Sequence, residues 1–225
     1  MKFPRPPHAW TLSPVQAVAV QRQLALGVRF EALSAGARWI AGLDAAFTPD
    51  RRQCVGAVVL WDREQGVAVE SHVARRPLRF PYVPGLLSFR EAPALLAAVR
   101  RLKQTPDVLL ADGHGLAHPR RFGIACHLGV LCDLPSIGCA KSRLIGAHDE
   151  PGLRRGDRSF LYDQGETIGT VLRTREGTRP LFISVGHRAD LEGAVALVLA
   201  CGAGFRLPEP TRLADRLVAR ARAGR

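Results

Sequence analysis

The chain has 225 residues, of which 47% are hydrophobic and 23% are charged. These values exclude a disordered or collagen-like polypeptide and allow one compact domain with a sizeable core. Lysine and arginine outnumber aspartate and glutamate by 32 to 20, so the formal net charge is +12. Such a charge attracts polyanions, and nucleic acid is the first partner to consider. The alternative is a merely solubilising surface, because almost all of these cations are arginines, as a biased genome would also encode.

The cysteines and the N-terminus indicate the compartment. Five cysteines lie far apart and include no C-x-x-C pair, which predicts buried free thiols in a reducing cytosol. The N-terminus lacks the apolar region of a signal peptide, and the longest apolar run, residues 124–140, is interrupted by His127 and Asp133. We therefore expect a cytoplasmic protein without a membrane partner, and we expect it to be a monomer.

The hydrophobic pattern predicts an arm, a β-meander and then alternating strands and helices. Residues 1–12 form a loose arm, after which Ser13, Pro14 and Gln16 form a capping box that starts a helix ending near Leu26. We predict strands at residues 38–47, 53–62, 66–75, 107–112, 136–140, 167–174 and 181–185. We predict further helices at residues 93–103, 121–134, 190–200 and 210–222, with loops at 80–91 and 113–119. This order predicts a single α/β domain, residues 1–225, with a mixed central β-sheet flanked by helices on both faces, a layout compatible with a ribonuclease-H-like fold.

Three acidic residues occupy unusual positions. Asp44 interrupts an apolar strand, on the face that it shares with Ile40 and Gly42. Asp112 ends a buried strand just before a glycine-rich loop, where α/β sheets expose their ligands. Glu91 immediately precedes a predicted helix. Each has a structural explanation as well: a buried aspartate with arginine or backbone partners, an Asp-Gly turn, and a carboxylate that complements a helix dipole.

Taken together, the three carboxylates indicate a site for a hard metal ion. An oxygen-only set of ligands suits Mg²⁺, with Mn²⁺ as a substitute. Phosphodiester hydrolysis uses such an ion to neutralise phosphate charge and to lower the pKa of the attacking water. Lys141 follows a predicted strand and His118 lies in the glycine-rich loop, so both would complete a phosphate clamp. A solvated strand end and a loop hydrogen bond are their structural alternatives.

A histidine trio offers a competing metal site. His114, His118 and His127 straddle the glycine-rich loop, but neither a cysteine ligand nor an H-E-x-x-H core accompanies them. The pattern therefore favours the carboxylate site over zinc.

Several long blocks of the sequence resemble the endonuclease V family. The blocks are FPYVPGLLSFRE, PDVLLADGHGLAHPRRFGIACHLG, PSIGCAKSRL, PLFISVGHR and RLPEPTRLAD. They occur in order and span most of the chain, so they are far more specific than a short motif. The resemblance implies a ribonuclease-H-like fold and a magnesium-dependent DNA repair endonuclease.

The resemblance also implies roles for the charged residues. Asp44 and Asp112 would bind Mg²⁺ directly, and Glu91 would complete the acidic triad, either through a metal-bound water or as a base. His118 and Lys141 would lie beside the scissile phosphate and stabilise developing charge.

Two further positions vary within the family. Asp215 matches a position that holds histidine or aspartate, so the resemblance implies only an indirect role for it, behind the ligands or on a metal-bound water. His114 stands where some relatives carry another polar residue.

The segment around Tyr82 resembles the part of the family that recognises the lesion. Tyr82 would be the wedge that fills the gap left by a flipped base, with Pro81 and Pro84 fixing its loop. The residues implied to line the pocket for flipped hypoxanthine are Gly85, Leu87 and Gly113. The structural alternative is a Pro-Gly turn with a buried tyrosine.

The family reaction is hydrolysis of the second phosphodiester bond on the 3′ side of deoxyinosine, which leaves 3′-hydroxyl and 5′-phosphate ends. Damaged DNA is therefore the expected partner. Two alternatives remain: a ribonuclease acting on inosine in single-stranded RNA, and a non-catalytic protein that only binds the lesion.

Overall fold

The computed structural model describes residue 3 and residues 5–223. Five helices and eight strands lie in this part of the chain. The helices are α1 (Pro14–Ala25), α2 (Ser88–Val99), α3 (Ile124–Cys132), α4 (Leu191–Ala200) and α5 (Glu209–Arg222). The strands are β1 (Trp39–Phe47), β2 (Gln53–Asp62), β3 (Val67–Pro77), β4 (Val108–Ala111), β5 (Ser136–Ala140), β6 (Arg158–Asp163), β7 (Glu166–Leu172) and β8 (Leu181–His187).

All eight strands belong to one mixed sheet with the order β3-β2-β1-β4-β5-β8-β7-β6. The meander β1–β2–β3 is antiparallel. β4 and β5 run parallel to β1, and the remaining strands pair antiparallel. The carboxyl ends of β1, β4 and β5 therefore point to the same edge of the sheet.

Helices cover both faces of the sheet, as the sequence predicted. On one face, α2 and α3 pack against side chains that include Leu43 and Leu109. On the other, α4 packs against a cluster that includes Ile40 and Leu110, and α5 packs against Ala57. Leu109 and Leu110 of β4 thus pack on opposite faces of the sheet, because side chains alternate along a strand. The α/β architecture is confirmed and is consistent with a ribonuclease-H-like fold.

Two strand glycines let helices approach the sheet closely. A methyl group at Gly42 would lie 2.1 Å from the backbone of Pro210 in α5. On the opposite face, a methyl group at Gly56 would lie 2.6 Å from the backbone of Ala94 in α2. Only glycine permits such close contacts, so Gly42 and Gly56 determine where α5 and α2 pack on the sheet.

We expect Gly42→Ala to lower the free energy of unfolding by about 3 kcal/mol, because the added methyl group must push α5 away from β1. Urea unfolding followed by circular dichroism would measure the loss. Gly36→Ala is the matched control, since its methyl group would meet its nearest neighbour at 3.7 Å. A Gly42→Ala variant within about 0.5 kcal/mol of the wild type would contradict this contact.

Two elements differ from the sequence predictions. The predicted helix 93–103 spans Ser88–Val99 instead, so Pro93 lies inside it and Glu91 lies in its first turn. Burial of its apolar face evidently outweighs the hydrogen bond that the proline removes. β6 was not predicted, because only Leu161 in this edge strand is buried and the apolar alternation is therefore weak.

The described part of the N-terminal arm contacts α3. The His8 and His127 Nε2 atoms lie 3.1 Å apart, and the Trp10 ring lies 5.5 Å from the His127 ring. These contacts attach the arm to α3. Residues 1, 2 and 4 of the predicted arm lie outside the described residues.

All five cysteines are buried free thiols, as predicted. Burial raises the pKa of Cys54 and Cys126 to about 12, so these thiols stay protonated and unreactive near neutral pH. None of the helices in the described part of the chain combines the length and the apolar character needed to cross a bilayer.

Candidate active site

The parallel strands bring charged side chains together at one edge of the sheet. Asp112 directly follows β4 and Lys141 directly follows β5. The Asp112 N–H donates a hydrogen bond to the Leu43 carbonyl of β1 at 2.9 Å, which places Asp112 next to Asp44. The alternation along β1, β4 and β5 turns these three side chains toward the face that α5 covers.

α5 contributes a third carboxylate to this edge. The helix begins against Gly42 of β1 and carries Asp215 on its second turn. One carboxylate oxygen from each of Asp44, Asp112 and Asp215 lies within 4.8 Å of the other two. We predicted an indirect role for Asp215, and its carboxylate lies among these closely spaced oxygens.

Removal from water and repulsion between carboxylates raise the pKa values of Asp44 and Asp112. Burial, followed by the negative charge of Asp112, raises the pKa of Asp44 to about 7. Burial also raises the pKa of Asp112, although the hydrogen bond from Lys141 acts in the opposite direction. Three converging oxygen ligands that repel one another fit a hard divalent cation, because such an ion prefers carboxylates and removes their repulsion.

Lys141 is the basic side chain that contacts the cluster. Its Nζ lies 2.6 Å from an oxygen of Asp112 and 2.6 Å from an oxygen of Asp215. Burial lowers the pKa of Lys141, but the hydrogen bonds to the two aspartates outweigh burial and raise it. The ammonium group is therefore charged where it contacts Asp112 and Asp215.

Glu91 lies beside the cluster rather than within it. The first turn of α2 carries it to the site from the opposite face of the sheet. Burial, then the charges of Asp44 and Asp112, raises the pKa of Glu91 to about 8. The three residues of the predicted acidic triad therefore act on one another, but Asp215 replaces Glu91 in the set of closely spaced oxygens.

A cavity of about 250 Å³ lies next to these residues. Its lining contains Tyr82, Val83, Pro84, Gly85, Leu87, Ser88, Gly113, His114, His118, Phe122, Gly123, Ile124, Ser142, Arg143 and Leu144. The predicted recognition residues thus share one cavity, except Pro81, which is exposed outside the lining. The cavity is smaller than the roughly 300–1,000 Å³ typical of sites for larger ligands, and it suits one planar group.

His118 holds the backbone of this cavity. Its Nδ1 accepts a hydrogen bond from the Arg120 N–H at 3.1 Å, so Nε2 carries the proton and donates it to the Gly85 carbonyl at 3.0 Å. Burial, followed by the charge of Arg120, lowers the pKa of His118 to about 4. Both ring nitrogens of His118 are therefore occupied by hydrogen bonds in the cavity wall. Its role beside the scissile phosphate stays a prediction.

Tyr82 separates the cavity from a basic groove. The side chain is 72% exposed, which excludes the alternative of a buried tyrosine, and it lines both spaces. The groove, about 870 Å³ in volume, also contains Phe47 and the arginines Arg51, Arg90 and Arg222. The guanidinium carbon of Arg90 lies 4.7 Å from the centre of the Phe47 ring and 5.8 Å from that of Tyr82.

Sequence reasoning missed several residues of this site. The segment 142–144 forms one wall of the cavity, although it belongs to a block that carried the family resemblance. Gln21 and Arg120 contact the cavity backbone from outside. No local signal marks them, because a glutamine in a helix and an arginine in a basic chain are both ordinary surface residues.

The histidine trio does not form a metal site. Within residues 3 and 5–223, only Asp44, Asp112 and Asp215 form a group of histidine, cysteine or acidic side chains with suitable spacing. His127 is buried, and its Nδ1 lies 3.0 Å from the Ser88 hydroxyl. The zinc alternative therefore has no support in this structure.

Comparison with known proteins identifies the family. The endonuclease V family model matches residues 22–216. Endonuclease V of Roseiflexus sp. (strain RS-1) is 49% identical over 213 residues, which cover 95% of each chain.

Solved structures agree with this assignment. The crystal structure of endonuclease V from Streptomyces avermitilis has a TM-score of 0.91 and 42% identity, and the match covers 96% of this chain and 95% of that one. An endonuclease V variant from Ciona intestinalis, in complex with a 23mer DNA containing an inosine followed by a ribo-adenosine, has a TM-score of 0.83 and 25% identity, with 95% and 99% covered. The chain therefore belongs to the endonuclease V family and is an endonuclease.

Proposed function

We propose that this protein is a DNA repair endonuclease that recognises deoxyinosine and hydrolyses the second phosphodiester bond on its 3′ side. The products would carry 3′-hydroxyl and 5′-phosphate ends, and Mg²⁺ would be the cofactor, with Mn²⁺ as a substitute. The observation that carries the proposal is the meeting of Asp44, Asp112 and Asp215 at a sheet edge beside a base-sized cavity.

The chemistry of the donor set supports the metal. Asp44, Asp112 and Asp215 would hold Mg²⁺, because all three side chains offer carboxylate oxygens. A cation would also remove the repulsion between their negative charges, which contributes to the raised pKa of Asp44. When bound, the ion supplies charge neutralisation at the phosphate and a lowered pKa for the attacking water. We propose Asp215 as a ligand in addition to the residues that the sequence favoured.

Lys141 and Glu91 would act on the reacting groups from two sides. Lys141 carries a charged ammonium group next to the cluster, where it would stabilise the negative charge that develops on the phosphate. Burial and the neighbouring carboxylates raise the pKa of Glu91 to about 8 without metal. Its ionised form, which a bound divalent cation would favour, would then hold a metal-bound water or accept a proton from the attacking water. His118 would position the cavity backbone through its hydrogen bond to the Gly85 carbonyl.

Recognition would use the two spaces on either side of Tyr82. Hypoxanthine flipped out of the duplex would enter the cavity, and the Tyr82 ring would fill the gap in the base stack. The arginines of the groove would contact the sugar-phosphate backbone of the same strand. The inosine-containing DNA bound by the relative from Ciona intestinalis supports this choice of substrate.

The direct test is cleavage of a fluorescently labelled duplex that contains a single deoxyinosine. With Mg²⁺, we expect one nick displaced to the 3′ side of the lesion, no product with EDTA, and no product from the matched undamaged duplex. End labelling and phosphatase treatment would establish the 5′-phosphate. If neither Mg²⁺ nor Mn²⁺ supports a nick by the folded protein, the proposal is wrong.

A matched single-stranded RNA with one inosine provides the second arm of this test. The relative's ligand contains a ribo-adenosine after the inosine, and this observation favours inosine-containing RNA as the alternative substrate. Preferential cleavage of the RNA would replace DNA as the proposed substrate. Tight lesion binding without cleavage of either strand would instead indicate a protein that only binds the lesion.

A further inference from the structure

Gln21 on α1 is a buried polar side chain outside the cavity lining. It is 1% exposed, although most of α1 lies at the surface. A buried amide requires partners for all of its polar atoms. The partners of Gln21 are backbone carbonyls of the cavity wall and the side chain of Arg120.

The Gln21 amide joins two walls of the cavity. Its Nε2 donates one hydrogen bond to the Gly85 carbonyl at 3.1 Å and a second to the Phe122 carbonyl at 2.7 Å. Gly85 belongs to the wall that carries Tyr82, and Phe122 belongs to the wall that leads into α3. One NH₂ group therefore sets the distance between two backbone segments far apart in the sequence.

The other atoms of the network hold this amide in place. The Gln21 Oε1 accepts a hydrogen bond from Arg120 Nε, and Arg120 Nη2 donates to the Gly85 carbonyl at 2.6 Å. Together with His118, three donors converge on the Gly85 carbonyl. Gly85 has φ +75°, and a methyl group there would lie 2.6 Å from Arg120 Nη2, so a side chain at this position would displace that donor.

Resting on the proposed function, we propose that Gln21 is a positioning residue that fixes the width of the cavity and thereby its selectivity for hypoxanthine over guanine. The two bases differ by the 2-amino group of guanine. A cavity of fixed width excludes that group. Without the hydrogen bonds from Gln21, the segments at Gly85 and Phe122 would separate and the cavity would admit the 2-amino group.

The test compares the wild type with Gln21→Glu and Gln21→Met on single-stranded DNA that carries either inosine or guanine at one position. Single strands remove the difference in pairing energy. Glutamate keeps the shape and the contact with Arg120 but loses both donors, and methionine keeps the volume alone. Gln23→Glu is the matched control, because Gln23 is exposed on the same helix.

We expect the ratio of kcat/KM for inosine to that for guanine to fall by about tenfold in both Gln21 variants, mainly through KM, with Gln23→Glu unchanged. Binding of the same strands in EDTA, followed by fluorescence anisotropy, should lose selectivity in parallel. A merely structural role would lower Tm and reduce both activities in proportion, and an unchanged ratio in Gln21→Glu would overturn the inference. A wild type that does not distinguish the two bases would instead overturn the proposed function, and this inference with it.

Discussion

Asp44→Asn and Asp112→Asn should each lower kcat/KM on deoxyinosine DNA by at least about 100-fold while the protein stays folded. Each substitution removes one charged oxygen ligand from the cluster, and asparagine keeps the size of the side chain. Single-turnover cleavage at protein concentrations below saturation would measure the loss of kcat/KM. Binding of the lesion in EDTA should be retained, because the cavity and the groove are unchanged.

Stability in EDTA separates the loss of a ligand from the loss of the fold. The folded-state pKa of Asp44 is raised to about 7, so its ionised form opposes folding. This penalty is absent below the ordinary pKa, grows as the pH rises and is complete above about 7. Asp44→Asn should therefore be at least as stable as the wild type at alkaline pH without metal. The increase in Tm that Mg²⁺ gives the wild type should be lost.

Asp149→Asn is the control for this experiment, because Asp149 is an exposed aspartate outside the cluster. It should leave cleavage and the response to Mg²⁺ unchanged. Full activity in Asp44→Asn or Asp112→Asn would remove both residues from the proposed metal site. A large loss of stability in EDTA would mean that the carboxylates support the fold rather than a cation.

The fold was largely predictable because its strands are strongly apolar. Asp44 could be assigned to the face of Ile40 and Gly42 because side chains alternate along a strand, although β1 is buried on both faces over residues 40–43. β6 could not be found, because an edge strand with one buried residue lacks a clear pattern. The start of α2 was misplaced because Pro93 resembles a helix start, whereas packing extends the helix back to Ser88.

The strand pattern made the site predictable where a residue lies within or directly follows a parallel strand, and the family resemblance alone indicated the cavity residues. Asp112 and Lys141 stand at the ends of parallel strands, and the topology alone brings them together. Asp215 comes from a helix late in the chain, and its contact with the cluster depends on the close approach of α5 to Gly42. The cavity network of Gln21 depends on contacts across 64 and 101 residues, which no local pattern encodes.

Tyr82→Ala should weaken the preference for deoxyinosine duplex over undamaged duplex by about 1–3 kcal/mol, the usual contribution of stacking between a base and an aromatic ring. Tyr82 lies between the cavity and the groove, so its ring would replace the base that leaves the stack. Because the side chain is 72% exposed, the free energy of unfolding should change by less than about 0.5 kcal/mol. Competition binding in EDTA with the two duplexes would measure the preference.

Three comparisons make the role of Tyr82 specific. Tyr82→Phe keeps the ring and should retain the preference, whereas Tyr162→Ala, on the edge strand β6, should have no effect. Cleavage of a single-stranded deoxyinosine substrate should change much less than cleavage of the duplex, since no gap in a stack has to be filled. If Tyr82→Ala impaired both substrates equally, the ring would serve the binding of the base itself. Tyr82 would then belong to the cavity wall, and the opening of the duplex would fall to the arginines of the groove.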